Sequence, residues 1–316
     1  MTKIRTIFMG TPEFACSILE QLYQEETIDL IALVSQPDRK VGRKQIIELT
    51  PTKKIAVEHG TPVYQPEKLK QDYQMIMDLQ PDLIITCAYG QMVPDDVLNL
   101  PKLGCFNVHA SLLPKLRGGA PIHKAIMYGE EKTGITIMEM VHKMDAGDMV
   151  SQKEIVITDD MVTGTLYNEL MKIGAELLHE TLPSLLDGSY TKTPQDESLV
   201  TYAWNVSKEE EKIDFTKDYR TVYNHIRSLI PVPVSYGICM DKKIKFWGVR
   251  SSNKKTNEPS GTICGFYEED GIVYMGVACD GRLLLIDALQ VEGKPKMLAK
   301  DFKNGQGKQY IGQLIS

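Results

Sequence analysis

The sequence predicts an α/β chain: a doubly wound, Rossmann-like parallel-sheet domain followed by a small, OB-like β-barrel domain. Three observations carry this. Residues 1–190 alternate apolar runs with helical patterns, which is the signature of strands joined by crossover helices. A stretch rich in Gly, Ser, Thr and Pro follows at 188–196. Beyond it come short strand-like runs at close spacing, separated by Gly, Asp, Asn and Lys turns. In the N-terminal region the strand candidates are 4–9, 30–34, 83–88, 103–108 and 135–141. Several are apolar nearly throughout, as strands covered on both faces are. Helical spacing falls at 12–23, 53–59, 69–79, 120–128 and 163–186. In the C-terminal region a helix at 219–229 precedes strand candidates at 234–239, 244–249, 261–265, 272–276 and 283–289. The expected domains are therefore 1–190 and 208–316, with 191–207 as a linker.

Bulk properties bound the function. The chain has 316 residues, 42% hydrophobic and 25% charged, the composition of an ordinary soluble protein with room for two domains. No stretch approaches the ~20 apolar residues of a membrane span. The opening apolar run stops at Gly10, too early for a signal peptide, so a cytoplasmic location is expected. Six cysteines at 16, 87, 105, 239, 264 and 279 form no C-x-x-C pair and read as reduced thiols; no metal site is expected. The net charge of −6 hides an asymmetry. Residues 1–207 hold 19 Lys and Arg against 28 Asp and Glu, a balance of −9; residues 208–316 hold 17 against 14, a balance of +3.

Residues 107–121 carry the chemistry. Asn107 and His109 lie two apart at the end of an apolar run, so a strand projects both to one face. α/β enzymes place their chemistry at such strand ends. An amide can hold a developing oxyanion, and an imidazole can move a proton near neutral pH, which suits acyl-group transfer. An acid to orient the imidazole is available in Asp145 or Asp148; spacing does not choose between them. Pro114 and Gly118–Gly119 predict a shaped loop beyond the strand. The opening strand ends in Gly10-Thr11-Pro12-Glu13 without the G-x-G-x-x-G spacing, which argues against dinucleotide binding. Residues 38–54 carry six Lys or Arg and two acids. Lysines recur at 242, 243, 245, 254, 255, 294, 296, 300, 303 and 308, with Arg250 among them. Both regions suit a polyanionic substrate held by its phosphates.

These residues also resemble a family, the 10-formyltetrahydrofolate-dependent formyltransferases that act on methionyl-tRNA, essentially end to end. The motifs are Phe8-Met9-Gly10-Thr11-Pro12-Glu13-Phe14, Gln36-Pro37-Asp38-Arg39 with Gly42-Arg43, and Ala88-Tyr89-Gly90-Gln91 with Pro94. To these are added Asn107-Val108-His109-Ala110-Ser111-Leu112-Leu113-Pro114 with Arg117-Gly118, and Asp145-Ala146-Gly147-Asp148. The resemblance implies formyl transfer from 10-formyltetrahydrofolate, as co-substrate, to the α-amine of methionyl initiator tRNA. It implies Asn107, His109 and Asp145 as catalytic residues, thereby choosing Asp145. It implies folate contacts at Ser111, Leu112, Leu113, Pro114, Ala88, Tyr89 and Gly90, and tRNA contacts at Arg39, Arg43 and Lys44. A monomer without metal or membrane is expected. Leu116 stands where the family usually has Trp.

Two other readings are weighed. A formyltransferase acting on an amino sugar nucleotide shares the Asn–His–Asp set but tends to have a shorter, less basic loop at 38–54. A non-enzymatic RNA-binding protein has no use for that set.

Overall fold

In a computed structural model that describes residues 3–41 and 45–316, the first sheet is built around inner strands almost wholly removed from water. β1 (Ile4–Gly10) leads through α1 (Glu13–Gln24) to β2 (Ile28–Val34). A hairpin follows, β3 (Arg39–Val41) with β4 (Ile46–Glu48), then α2 (Pro51–Glu58), β5 (Val63–Tyr64) and α3 (Gln74–Leu79). The chain re-enters the sheet as β6 (Leu83–Cys87), runs through α4 (Asp95–Leu98) to β7 (Cys105–His109), and continues as α5 (Pro121–Met127), β8 (Lys132–Glu139), β9 (Met149–Val156) and α6 (Thr163–Asp187). The sheet order is β5-β2-β1-β6-β7-β8-β9. From β5 to β7 every pairing is parallel. All five residues of β6 are buried, the pattern of a strand covered on both faces.

The parallel, doubly wound sheet that the sequence predicts runs from β5 to β7, and beyond it the sheet is mixed, because β8 runs antiparallel to β7. A parallel return needs a crossover element lying on the sheet. The connection after β7 instead holds a loop with Pro114, Gly118 and Gly119, and all of α5 beyond Pro121 belongs to another compact unit. β9 is missing from the strand candidates. Its burial alternates along Met149–Val156, so it lacks the apolar run that marks the inner strands.

The chain folds as two compact units: Met1–Pro121 with Thr133–Ile155 and Tyr167–Trp204, and Ile122–Lys132 with Val156–Leu166 and Asn205–Ser316. Two excursions from earlier in the chain are therefore built into the second unit. Buried Arg227 explains one of them: its guanidinium donates to the carbonyls of Thr158, Asp159 and Met161. Buried Lys124, ion-paired with Glu210, and His123, hydrogen-bonded to Val232 O, hold the other. The stretch 191–207 is not a free linker. Residues through Trp204 pack in the first unit, with Ala203 fully buried.

The second unit contains α7 (Tyr219–Ser228), β10 (Tyr236–Cys239), β11 (Lys242–Arg250), β12 (Ile263–Glu269), β13 (Ile272–Cys279), β14 (Arg282–Val291), β15 (Met297–Leu298) and α8 (Ala299–Asn304). The strands run antiparallel in the order β10-β11-β14-β13-β12, with β15 on β14. The last residues close this sheet into a barrel. Ile238 and Ser316 exchange both backbone hydrogen bonds at 2.8 and 2.9 Å, while Ile263 N donates to Gln313 O and Ile315 N to Gly261 O. A continuous apolar core fills it, including Phe215, Phe246, Ile263, Leu284, Phe302 and Tyr310. Among the described residues no helix is long and apolar enough to cross a membrane, and no three His, Cys, Asp or Glu side chains form a metal-holding group. All six cysteines are free and four are buried.

Candidate active site

The parallel strands β1, β2, β6 and β7 end together at Gly10, Val34, Cys87 and His109. Sheet order reverses on either side of β1, which opens a crevice outside the carboxyl ends of the strands. Gly10 is required by packing here. A Cβ on it would lie 2.7 Å from the Phe8 ring and 2.8 Å from both Ala15 Cβ and Cys87 O.

Asn107 pairs in register with Thr86 on β6 and with Met138 on β8. Thr86 Oγ1 donates to Asn107 Oδ1 at 2.7 Å. With the oxygen end of the amide engaged, the Nδ2 end is turned away from Thr86 and makes no hydrogen bond to the described residues. Asn107 is half-buried and its Nδ2, though without a partner, is not among the buried polar atoms, so this donor is open to solvent. His109 is 6% exposed. Its Nε2–H donates to Leu116 O at 3.1 Å, and its Nδ1 faces Asp145 Oδ1 at 3.8 Å. Both ring nitrogens therefore face oxygen acceptors.

Of the two candidate acids, it is Asp145 whose carboxylate faces His109. Its other oxygen, Oδ2, accepts from Gly118 N at 2.8 Å. Asp148 meets the sheet through its main chain, its carbonyl accepting from Glu139 N. Asp145 has φ +50, a left-handed conformation uncommon outside glycine. Gly147, two residues on, cannot carry a side chain, because a Cβ would lie 1.9 Å from Glu139 O. Gln195 braces this turn, its Nε2 donating to both Asp145 O and Gly147 O.

The loop after β7 is shaped by a buried network. Thr136 Oγ1 donates to Ser111 O, Leu113 N donates to Thr136 Oγ1, and Gln152 Nε2 donates to Leu113 O. Ser111 is fully buried and its hydroxyl donates to Lys115 O. Of the residues 111–114, Leu112 and Pro114 keep partly exposed surface, while Ser111 and Leu113 face inward. A similar division holds at the end of β6. Ala88 and Gly90 are exposed, with φ +47 and +90. Tyr89 turns its ring into the core, and burial raises its phenol pKa well above the ordinary value. Its carbonyl accepts from Thr11 Oγ1 and Gln36 Nε2.

The basic segment at 38–54 is largely the β3–β4 hairpin. Asp38 anchors its base, accepting from Lys53 Nζ at 2.5 Å, Gln65 Nε2 at 3.0 Å and Thr50 N at 3.1 Å. Burial opposes the Asp38 carboxylate, but these hydrogen bonds outweigh it and hold its pKa below the usual value. Lys53 is thus engaged in structure, whereas Arg39 is exposed on β3. Arg43 and Lys44 lie outside the described residues. The hairpin's second strand carries Ile46 and Ile47, 58% and 63% exposed.

Sequence reasoning missed Thr86, Gln195 and the Leu116 carbonyl. Thr86 left a signal, being the one hydroxyl in the apolar run of β6. Gln195 left none, since its surroundings read as linker.

The chain is similar to known proteins over nearly its whole length. A family model described as formyl transferase matches residues 2–182, and one described as formyl transferase, C-terminal domain, matches 205–307. Over 310 residues the chain is 48% identical to methionyl-tRNA formyltransferase of Listeria monocytogenes serotype 4b, covering 98% of this chain and 97% of that one. It is 45% identical to the Staphylococcus epidermidis protein of that name, with 100% of both chains covered. Among solved structures it resembles an N-formyltransferase from Helicobacter canadensis in complex with folinic acid and dTDP-3-aminofucose. There the TM-score is 0.66 at 18% identity, over 90% of this chain and 98% of that one. HypX from Aquifex aeolicus, in complex with tetrahydrofolic acid, gives a TM-score of 0.64 at 17% identity, over 98% of this chain and 48% of the other. These two likenesses speak to the fold. With nearly half of its residues identical to the Listeria and Staphylococcus proteins from end to end, the chain belongs to the methionyl-tRNA formyltransferases of the formyl transferase family.

Proposed function

We propose that the chain transfers a formyl group from 10-formyltetrahydrofolate to the α-amino group of methionyl initiator tRNA, and that Asn107, His109 and Asp145 carry the chemistry. The observation that carries this is the open Asn107 Nδ2 donor beside an imidazole that faces a carboxylate. The folate supplies a formyl carbon bonded to N10. As the amine adds to that carbon, negative charge gathers on the formyl oxygen. Asn107 Nδ2 donates to that oxygen, and His109 Nε2–H, now resting on Leu116 O, is the second donor. Asp145 orients the imidazole, and it, or a water it holds, takes the proton that the attacking amine loses and returns it to the departing N10. Exposed Ala88 and Gly90, with Leu112 and Pro114, offer backbone and apolar surface at the strand ends for the folate ring. Ser111, Leu113 and Tyr89 act from beneath, through packing. Arg39, on β3, meets the tRNA acceptor end together with Arg43 and Lys44, and lysines of the barrel add phosphate contacts.

The test is formyl transfer from 10-formyltetrahydrofolate to charged initiator tRNA, with elongator tRNA and an amino sugar nucleotide as rival acceptors. Asn107→Ala or His109→Ala lowers turnover about 10²–10³-fold at saturating substrates. Turnover near wild type in either variant rejects the assignment, and preference for the sugar nucleotide rejects the acceptor.

A further inference from the structure

We infer that Gln195, held by the buried Arg117, is a positioning residue that sets where the Asp145 carboxylate meets His109. This rests on the reading of Asp145 given above. Arg117 is fully buried. Its Nε and one terminal nitrogen donate to Gln195 Oε1 at 3.0 and 2.8 Å, and that same nitrogen donates to Glu197 Oε1 at 2.9 Å. Gln195 Nε2 donates onward to Asp145 O at 2.8 Å and Gly147 O at 2.7 Å. Every hydrogen-bonding position of the glutamine amide is thus used, two hydrogens and two lone pairs.

The chemistry fixes the amide's orientation. A guanidinium has no acceptor and a carbonyl has no donor, so only the oxygen can face Arg117 and only the nitrogen can face the two carbonyls. The amide converts a buried cation into a clamp on two backbone carbonyls that flank Ala146.

The clamp has something to hold. Asp145 sits at φ +50, a conformation that strains a non-glycine residue and persists only where its surroundings enforce it. Gly118 N fixes one carboxylate oxygen, and Gly118 is itself tied in place: a Cβ there would lie 2.7 Å from Ala203 O. Gln195 supplies the backbone half of the same restraint. A displacement of about 1 Å in a reacting group can cost 10²-fold in rate, so a residue touching no substrate can govern turnover from this position.

Gln195→Glu separates the clamp from the anchor. The new carboxylate still accepts from Arg117 but has no hydrogen for Asp145 O or Gly147 O, so the turn is released while the buried cation stays paired. Expected is a 10- to 100-fold fall in kcat with KM for both substrates within about threefold, and an unchanged far-UV spectrum. Combined with Asp145→Asn, the same substitution adds no further loss, because both act on one carboxylate. Glu197→Gln, which touches Arg117 but not the turn, keeps kcat within about twofold. Should Gln195→Glu not fold, Gln195→Ser, which leaves room for water in place of the amide, is read the same way. Wild-type kcat in the Gln195 variant while Asp145→Asn is impaired overturns the inference and leaves the catalytic reading intact. Losses that multiply in the double variant also overturn it. Wild-type kcat in Asp145→Asn overturns the catalytic reading itself.

Discussion

At the scale of single residues, the site depends on which end of each polar group is already committed. An asparagine amide offers either a donor or an acceptor to a ligand, and the pairing with Thr86 engages its oxygen end. Because its hydroxyl occupies Asn107 Oδ1, the amide presents N–H, the end that a negatively charged oxygen requires. Thr86→Val removes that hydroxyl at nearly constant volume and leaves the amide free to turn. We expect kcat to fall about tenfold, the equivalent of one ordinary hydrogen bond, with little change in melting temperature. Thr86→Ser restores it. In the background of Asn107→Ala the Thr86→Val effect vanishes; a full additional tenfold loss there excludes this role.

At the scale of elements, the hairpin shows how a basic segment acquires a fixed base. Asp38 gathers three donors, two from the start of α2 and one from Gln65, and its pKa is thereby depressed in the folded state. A carboxylate of this kind contributes stability above its unfolded pKa, near 3.9, and loses it as pH falls through the lower folded value. Asp38→Asn turns an amide N–H₂ toward the Lys53 ammonium or gives up the other two donors. It lowers stability at pH 7 by about 1–2 kcal/mol, and the gap from wild type closes below about pH 4. Thermal melts between pH 3 and 8 check this, and a gap that persists unchanged at pH 3 rejects it. The hairpin also marks where the sequence stops being informative. Apolar runs disclose the inner strands because burial on both faces demands them, and the Asn107–His109 spacing discloses a shared face because a strand alternates. The β3–β4 hairpin and the Gln195 brace follow no such period, and β9 alternates in burial but sets Ser151 and Lys153 on its covered side, so no apolar alternation marks it. Their places are set by hydrogen bonds between distant segments, such as Gln195 with Asp145, that local pattern does not record. The excursions at 122–132 and 156–166 are hidden for the same reason, since Arg227, Lys124 and His123 tie them to residues far along the chain.

At the scale of the whole molecule, those excursions change the electrostatic account. Counted by compact unit instead of by position in the chain, the first unit holds 17 basic against 24 acidic residues and the second 19 against 18. The balances are −7 and +1, so the second unit has almost no net charge. Attraction of a polyanion to it must come from where the charges lie. Arg250 and Lys254 are paired with Asp270 and Glu269. Lys243, Lys245 and Lys296 have no ion pair among the described residues. Lys243 and Lys245 alternate outward along β11 while Ile244 and Phe246 enter the core, and Lys243 lies over the Tyr236 ring. Lys296 lies over Trp247, the next outward position of β11. The outer face of β10 and β11 therefore presents unpaired cations interleaved with aromatic rings, a surface suited to phosphates and bases together. A lysine that releases counterions on binding changes the slope of log affinity against log salt by about 0.7–0.9, and one already paired within the protein does not. Lys245→Ala and Lys296→Ala should each flatten the salt dependence of tRNA binding by about that amount and leave kcat at saturating tRNA intact. Lys254→Ala should leave the slope as it is. Equal flattening by all three substitutions would show that overall charge governs the encounter, and that the arrangement on β11 does not.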